Sequence, residues 1–437
     1  MQTNHKKVLI ITYYWPPSGG VGVQRWMHFS SNLKQLGWEP IIYTPSNPQF
    51  DIKDDALLDL IADIRVIKQP IWEPFSVFHR LTGKKNKDKV QQGLVLEKSS
   101  KSWLDHLFVW IRGNLFVPDP RVFWVRPSVK FLKQLIREEN ITHCITTSPP
   151  HSMHLIGLRL KKIFPALKWM PDLRDAWSGW DILPKLYVSA PVLSVHKRLE
   201  RKVLEGCDRV LTVGKGYAAE FQSKTKQPVT IEVIRNGMPA RHPETNTSPD
   251  LDHFTIGYFG LLNELRDPDF LWDMLSKFCS EDESFAEKLR LRIGGIVSET
   301  VKTRLLEDEY LGKRTTFLGY LKHEEVFQEY NKCDLLLLLQ NKSDNAQWVL
   351  PVKFFEYLSA KHPILCIAPD KGELAEIILG HEIGEVHSSE SPKEMGQFIQ
   401  SVYAGDYVIN EAHFEQLLKD NSRDQQAKDL AAILERL

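Results

Sequence analysis

Along this chain, apolar runs of strand length alternate with stretches whose apolar residues recur at helical spacing. The first run, Lys7-Val-Leu-Ile-Ile-Thr-Tyr-Tyr, ends in Trp15-Pro-Pro-Ser-Gly-Gly-Val-Gly. A helical pattern starts at Gln24 and stops at Gly37, after which 39–44 reads as a second strand. Strand, glycine turn, helix, strand is a βαβ unit, whose strands run parallel with a right-handed crossover. Further strand-like runs at 143–147, 168–172, 209–213 and 230–234 extend this series. The segment 237–253 sets Pro239, Pro243 and Pro249 among polar residues and reads as a linker. A second series opens at 254–260 and continues at 289–295, 315–319, 334–339 and 363–368. The simplest architecture is α/β, with two tandem doubly wound, Rossmann-like domains over 1–240 and 250–410. Sheets of this kind take ligands beyond the carboxyl ends of their strands, so two such domains are expected to face each other across a cleft.

Composition narrows the classes. The 437 residues suit two to three domains of about 150 residues. Lys and Arg number 56 against 56 Asp and Glu, and this zero net charge argues against a nucleic-acid-coating protein. Hydrophobic residues at 42% and charged residues at 26% are globular values. The most apolar run, 335–339, is strand-sized, too short for a membrane span. Strand-like sequence stands where a signal peptide would be cleaved. The five cysteines are odd in number and widely spaced, so reduced thiols and a cytoplasmic protein are expected. One stretch fits neither series, and we mark 75–110 as an insertion. Its 84–101 portion is lysine-rich, and aromatics at helical spacing follow from Trp103. It reads either as a polar loop leading to a covering helix or as a basic, aromatic surface for an anionic membrane.

Candidate chemistry gathers after the strands. Gly19, Gly20 and Gly22 form a turn that opens a helix, where backbone N–H groups can meet an anion. A dinucleotide fingerprint needs a third glycine where Arg25 stands, so an NAD enzyme is disfavoured. Ser148, His151 and His154 follow the third strand of the first series and could bond a sugar, or the Ser-Pro-Pro could simply shape a turn. Asp172, Arg174 and Asp175 leave the next strand. They read either as a salt-bridged cluster or as groups that orient an acceptor and move a proton. No HExxH, GxSxG or Walker A pattern is present. In the second series Lys353 stands at a helix start, which is unfavourable for a cation unless an anion binds there. Glu356, one turn along, could accept ribose hydroxyls, and Arg266 could add a second positive charge for a diphosphate.

Taken together, these segments resemble bacterial glycosyltransferases of the GT-B fold, family 4-like (group 1). The resemblance rests on Trp15-Pro-Pro-Ser-Gly-Gly-Val-Gly, Pro118-Asp-Pro-Arg, Thr147-Ser-Pro-Pro, Asp172-Leu-Arg-Asp-Ala-Trp and Asn236-Gly. In the second half it rests on 260–266, Phe317-Leu-Gly-Tyr and Lys353-Phe-Phe-Glu-Tyr-Leu. It implies a hexosyltransferase-like enzyme that moves a sugar from a nucleotide-diphosphate sugar to a polysaccharide or glycolipid acceptor, retaining configuration without a metal or other cofactor. Arg266 and Lys353 would neutralise the diphosphate, which lets fixed cations take a divalent ion's place. Glu356 would bind the ribose, Gly319 and Tyr320 would flank the base, and Gly19 and Gly20 would close over sugar and phosphates. The first domain would hold the acceptor through Ser148 and His154, with Asp172, Arg174, Asp175 and His151 as catalytic candidates. The C-terminal segment 411–437 would pack back on the first domain, through a last helix over Asp424–Leu437. One departure stands out. The family pairs two glutamates separated by seven residues; Glu356 matches the second, but Trp348 holds the first position, with Asp344 four residues earlier. Two alternatives use the same fold: a nucleotide-sugar epimerase, and a catalytically silent partner that the loss of a carboxylate at Trp348 would suit.

Overall fold

The computed structural model describes residues 6–49, 53–74, 103–238, 250–342, 346–388 and 391–437. The lysine-rich 84–101 stretch, Asp344 and the three linker prolines lie outside them. The chain divides into two compact units, Met1–Arg235 with Asp424–Leu437, and Asn236–Arg423.

The first unit is built on β1 (Lys6–Ile11), β2 (Trp38–Pro45), β3 (Arg65–Gln69), β4 (His143–Thr147), β5 (Lys168–Leu173), β6 (Val210–Thr212) and β7 (Ile231–Val233). They form one sheet in the order β3-β2-β1-β4-β5-β6-β7, parallel at every pairing. The second unit carries β8 (Phe254–Phe259), β9 (Leu289–Gly294), β10 (Thr315–Gly319), β11 (Leu335–Leu339), β12 (Ile364–Ile367) and β13 (Gly384–His387). Their order is β10-β9-β8-β11-β12-β13, again all parallel. Each sheet therefore reverses its strand order once, between β1 and β4 in the first and between β8 and β11 in the second.

Parallel strands are covered on both faces, so interior strands are apolar throughout. β11 shows this clearly. Leu335, Leu337 and Leu339 enter one core with Ile256, Leu291 and Leu365, while Leu336 and Leu338 enter another with Phe259, Ile364 and Cys366. In the first unit Val8, Ile10, Trp26, Trp38 and Ile145 pack with Ala427, Leu430, Ile433 and Leu434 of the final helix, Arg423–Glu435. Grouping all of 411–437 with that helix needs correction. The helix Glu411–Asp420 instead places Phe414 and Leu417 in a core of the second unit, because its apolar side faces that sheet's helices. The five cysteines are free thiols, four of them buried. Among the described residues no helix is long and apolar enough to cross a membrane.

Candidate functional site

The loops singled out by the sequence stand at the reversal points. The β1 loop carries Gly19 and Gly20, and the β4 loop carries Ser148 and His151. In the second unit the β8 loop carries Arg266, and the segment after β11 leads to Lys353 and Glu356. In open parallel sheets this is where a crevice forms and ligands bind.

The glycine turn needs its glycine. Gly20 has φ +88° as it enters the helix Val21–Gln35, a backbone region L side chains avoid. Arg25, where a dinucleotide site would have glycine, sends its side chain inward. It pairs with Asp172 at 3.3 Å and donates to the carbonyl of Arg235 at 2.9 Å.

Asp172 itself is saturated. Oδ2 accepts from Trp26 Nε1 at 2.6 Å and from Thr147 Oγ1 at 3.0 Å, Oδ1 faces Arg25, and the residue is 0% exposed. A carboxylate so held is an anchor rather than a proton carrier. Arg174 does not join it. Its Nε donates to the Ser148 carbonyl at 2.6 Å and its Nη1 to the Gly22 carbonyl at 3.0 Å, tying the two loops of the first unit together. The expected cluster of Asp172, Arg174 and Asp175 bonded to one another is therefore absent. Only Asp172 lies on the strand, and the two residues after Leu173 turn away with the loop. Asp175 is partly buried and accepts no hydrogen bond among the described residues. Burial pushes its carboxyl pKa up, Arg174 opposes that, and Asp181 and Asp172 add to it.

His151 stacks on Trp177 with ring centroids 4.9 Å apart and planes 5° apart. Burial, then His154 and His196, drive its pKa well down, and its Nδ1 has no hydrogen-bond partner among the described residues. His154 is fully buried, bonds Thr146 Oγ1 through Nδ1 at 2.8 Å, and is lowered to about 3 by burial and Arg174. Ser148 is buried too, its hydroxyl 3.5 Å from the Asp172 carbonyl. Of the acceptor-side candidates, His154 and Ser148 thus face inward, because the helix Ser152–Ile163 packs its first turn against the sheet. Asp119 holds that turn: it accepts from Ser152 N at 2.8 Å and Ser152 Oγ at 2.7 Å. Arg121 beside it pairs with buried Glu73 at 2.7 Å.

In the second unit the polar groups stay partly open. Arg266 Nε donates to Asn341 Oδ1 at 2.6 Å and Nη1 to the Leu261 carbonyl at 3.3 Å, which fixes the guanidinium beside the end of β11. Lys353, with a side chain 34% exposed, donates to Glu356 Oε2 and to Tyr330 Oη, both at 2.8 Å. Tyr330 in turn donates to Glu356 Oε2 at 2.8 Å. The last turn of β10 places Gly319 at φ +66° and leaves Tyr320 78% exposed. Trp348 ends a short turn, Ala346–Trp348, and is partly buried. Among the described residues no three His, Cys, Asp or Glu side chains converge to hold a metal.

No family model and no curated protein matches the chain. Solved structures do. The lipopolysaccharide outer core galactosyltransferase WaaB aligns with a TM-score of 0.63 at 14% identity, over 99% of this chain and 100% of that one. Sucrose-phosphate synthase from Thermosynechococcus elongatus aligns at 0.61 and 13%, over 99% and 98%. Anabaena Alr3699/HepE, solved in complex with UDP-glucose, aligns at 0.60 and 13%, over 99% and 100%. The chain carries the GT-B fold. Sequence reasoning singled out Arg266, Lys353 and Glu356 but not Asn341 and Tyr330, to which they hydrogen-bond. It also missed Arg25, Trp26 and Thr147, the donors that occupy Asp172. Asn341 had a weak signal in its position just after a strand, whereas Arg25 and Trp26 lie within a helix, Thr147 ends a strand, and Tyr330 falls in an apolar pattern.

Proposed function

We propose that this chain is a glycosyltransferase that moves a sugar from a nucleoside-diphosphate sugar to a glycan or glycolipid acceptor, with retention and without a metal. The observation that carries the reading is the second unit's cluster, in which Lys353, Glu356 and a fixed Arg266 stand around one sheet's reversal point. Arg266 and Lys353 would stabilise charge on the departing diphosphate, Glu356 would take the ribose, and Gly319 and Tyr320 would flank the base. Gly19 and Gly20, at a helix start, would offer backbone N–H groups to an anionic part of the substrate. In the first unit we assign the acid–base or acceptor-orienting role to Asp175, whose carboxylate is uncommitted. Arg174 would shape the loops, and His151, stacked on Trp177, would form a wall of the acceptor side.

A thermal-shift panel with UDP, GDP, ADP, CMP and NAD tests this. A ligand at about 100 times its Kd adds roughly 2.7 kcal/mol. Stabilisation by one nucleoside diphosphate alone supports the transferase and names the base; silence across the panel sinks it and favours the silent-partner reading that Trp348 suggests.

We further assign the acceptor side to the inner face of an anionic membrane. Trp72, Trp110, Leu115 and Phe123 are all exposed. Trp72 meets Phe123 edge to face, and Phe116 meets Phe123 at 6.0 Å. Lys84, Lys85, Lys87 and Lys89 lie between Trp72 and Trp110 in sequence. Replacing these four lysines with Gln should reduce association with phosphatidylserine liposomes at low salt; a wild type that ignores such liposomes removes the membrane from the picture.

A further inference from the structure

We infer that Tyr330 is a positioning residue that holds Glu356 in place for the ribose of the donor, an inference that rests on the donor-site reading above. Tyr330 is 0% exposed. Its ring is gripped edge-on by Phe259 at 5.0 Å, Phe327 at 5.3 Å and Tyr357 at 5.1 Å, so its hydroxyl has one place to go. That place is Glu356 Oε2, at 2.8 Å. Burial, then the Glu356 carboxylate itself, push the phenol pKa far up, so the group remains a donor at every working pH. Glu356 is left with a division of labour. Oε2 takes both available donors, Tyr330 and Lys353, while Oε1 takes none among the described residues and is not sealed from solvent. Oε1 is the oxygen free to accept from a diol.

The arrangement also links the two ends of the nucleotide. Lys353 donates to Glu356 and Tyr330. A diphosphate would draw the ammonium toward itself, since two negative charges compete with one. Glu356 would then lose one of its two donors. The tyrosine, fixed by three rings, stays and keeps Oε2 turned inward. Without it the carboxylate would be free to follow the lysine or rotate to solvent, and the ribose contact would weaken.

The test is the ratio of Kd for 2′-deoxy-UDP to Kd for UDP, measured by calorimetry, with the GDP or ADP pair used instead if that nucleotide is the one bound. Wild type should discriminate by tenfold or more, and Tyr330→Phe should cut that ratio at least fivefold. Tyr357→Phe is the control. Its hydroxyl is equally buried and donates to the Leu337 carbonyl at 3.2 Å, away from Glu356, so the ratio should not move. An unchanged ratio in Tyr330→Phe overturns the inference. Lys353→Ala gives an independent reading should Tyr330→Phe not fold: affinity should fall while the ratio persists, and collapse of the ratio would assign the positioning to Lys353 instead. Wild type that binds a diphosphate without discriminating overturns the ribose role of Glu356 and this inference with it. Wild type that binds no diphosphate overturns the donor-site reading itself.

Discussion

The two sheets offer similar loops at equivalent places, yet they use their carboxylates in opposite ways. At the end of β5, Asp172 is sealed and takes three donors, one of them a cation that is itself buried. After β11, Glu356 gives one oxygen to two donors and keeps the other open, beside a lysine that reaches solvent. The contrast separates a carboxylate whose valences the protein has filled from one with an oxygen left over. The test is whether any valence is left over once the protein has satisfied its own charges. By that measure Asp172 holds the first unit together, while Glu356 Oε1 has no protein donor among the described residues.

The largest expected effect falls on the anchor. Asp172→Ala leaves Arg25, whose side chain is 5% exposed, without its counter-charge. Breaking a buried pair by removing one partner costs about 3–5 kcal/mol, a fall in Tm on the order of 10 °C for a unit of this size. Denaturation followed by tryptophan fluorescence reads it. A variant as stable as wild type but inactive would place Asp172 in the chemistry and break the comparison. Lys353→Ala should behave in the reverse way. Nucleotide binding should weaken by about 1.5–3 kcal/mol, the range for a bond to a charged group. Stability without ligand should fall by less than in Asp172→Ala, since the Lys353 side chain is one-third exposed and Tyr330 still donates to the Glu356 carboxylate. Unchanged nucleotide affinity would remove Lys353 from the site.

Most of the interior of both sheets was legible because parallel strands covered on both faces are written as apolar runs. The two strands the sequence reading omitted, β3 and β13, are at sheet edges, where only one neighbour pairs and polar residues such as Arg65, Lys68 and Glu385 are tolerated. The site was legible where one turn of helix sets two residues together, as with Lys353 and Glu356. It was misleading at Asp172, Arg174 and Asp175, because closeness in sequence at a strand end does not keep side chains together once the chain leaves the sheet. Tyr330 was hidden for a different reason. Within His323–Tyr330 it falls in the apolar pattern with Phe327, and only tertiary packing shows that its hydroxyl is used.

A second way to sharpen the contrast is the response to acid, which is spread over several groups. In the first unit His151, His154 and His196 all have lowered pKa values, chiefly from burial, with His154 at about 3. In the second unit His362 is lowered to about 4, also by burial. Unfolded histidine titrates near 6.5, so below that pH the unfolded first unit binds more protons than the folded one. Stability is complete above about pH 6.5 and is lost as pH falls toward the folded values, at up to about 1.4 kcal/mol per pH unit for each imidazole that stays neutral. Asp175 acts with the other sign: its raised pKa means the folded state holds that proton more tightly, so its ionisation costs stability as pH rises past the unfolded value near 4. Between pH 6.5 and 5 the first unit should therefore lose stability faster than the second, which denaturation at each pH can follow through Trp26, Trp38, Trp169 and Trp177 against Trp272. His154→Asn should lower stability at pH 7, yet remove one proton's share of the slope. The same slope in that variant would mean that His154 is charged inside the fold, and the sealed character assigned to the first unit's cluster would have to be given up.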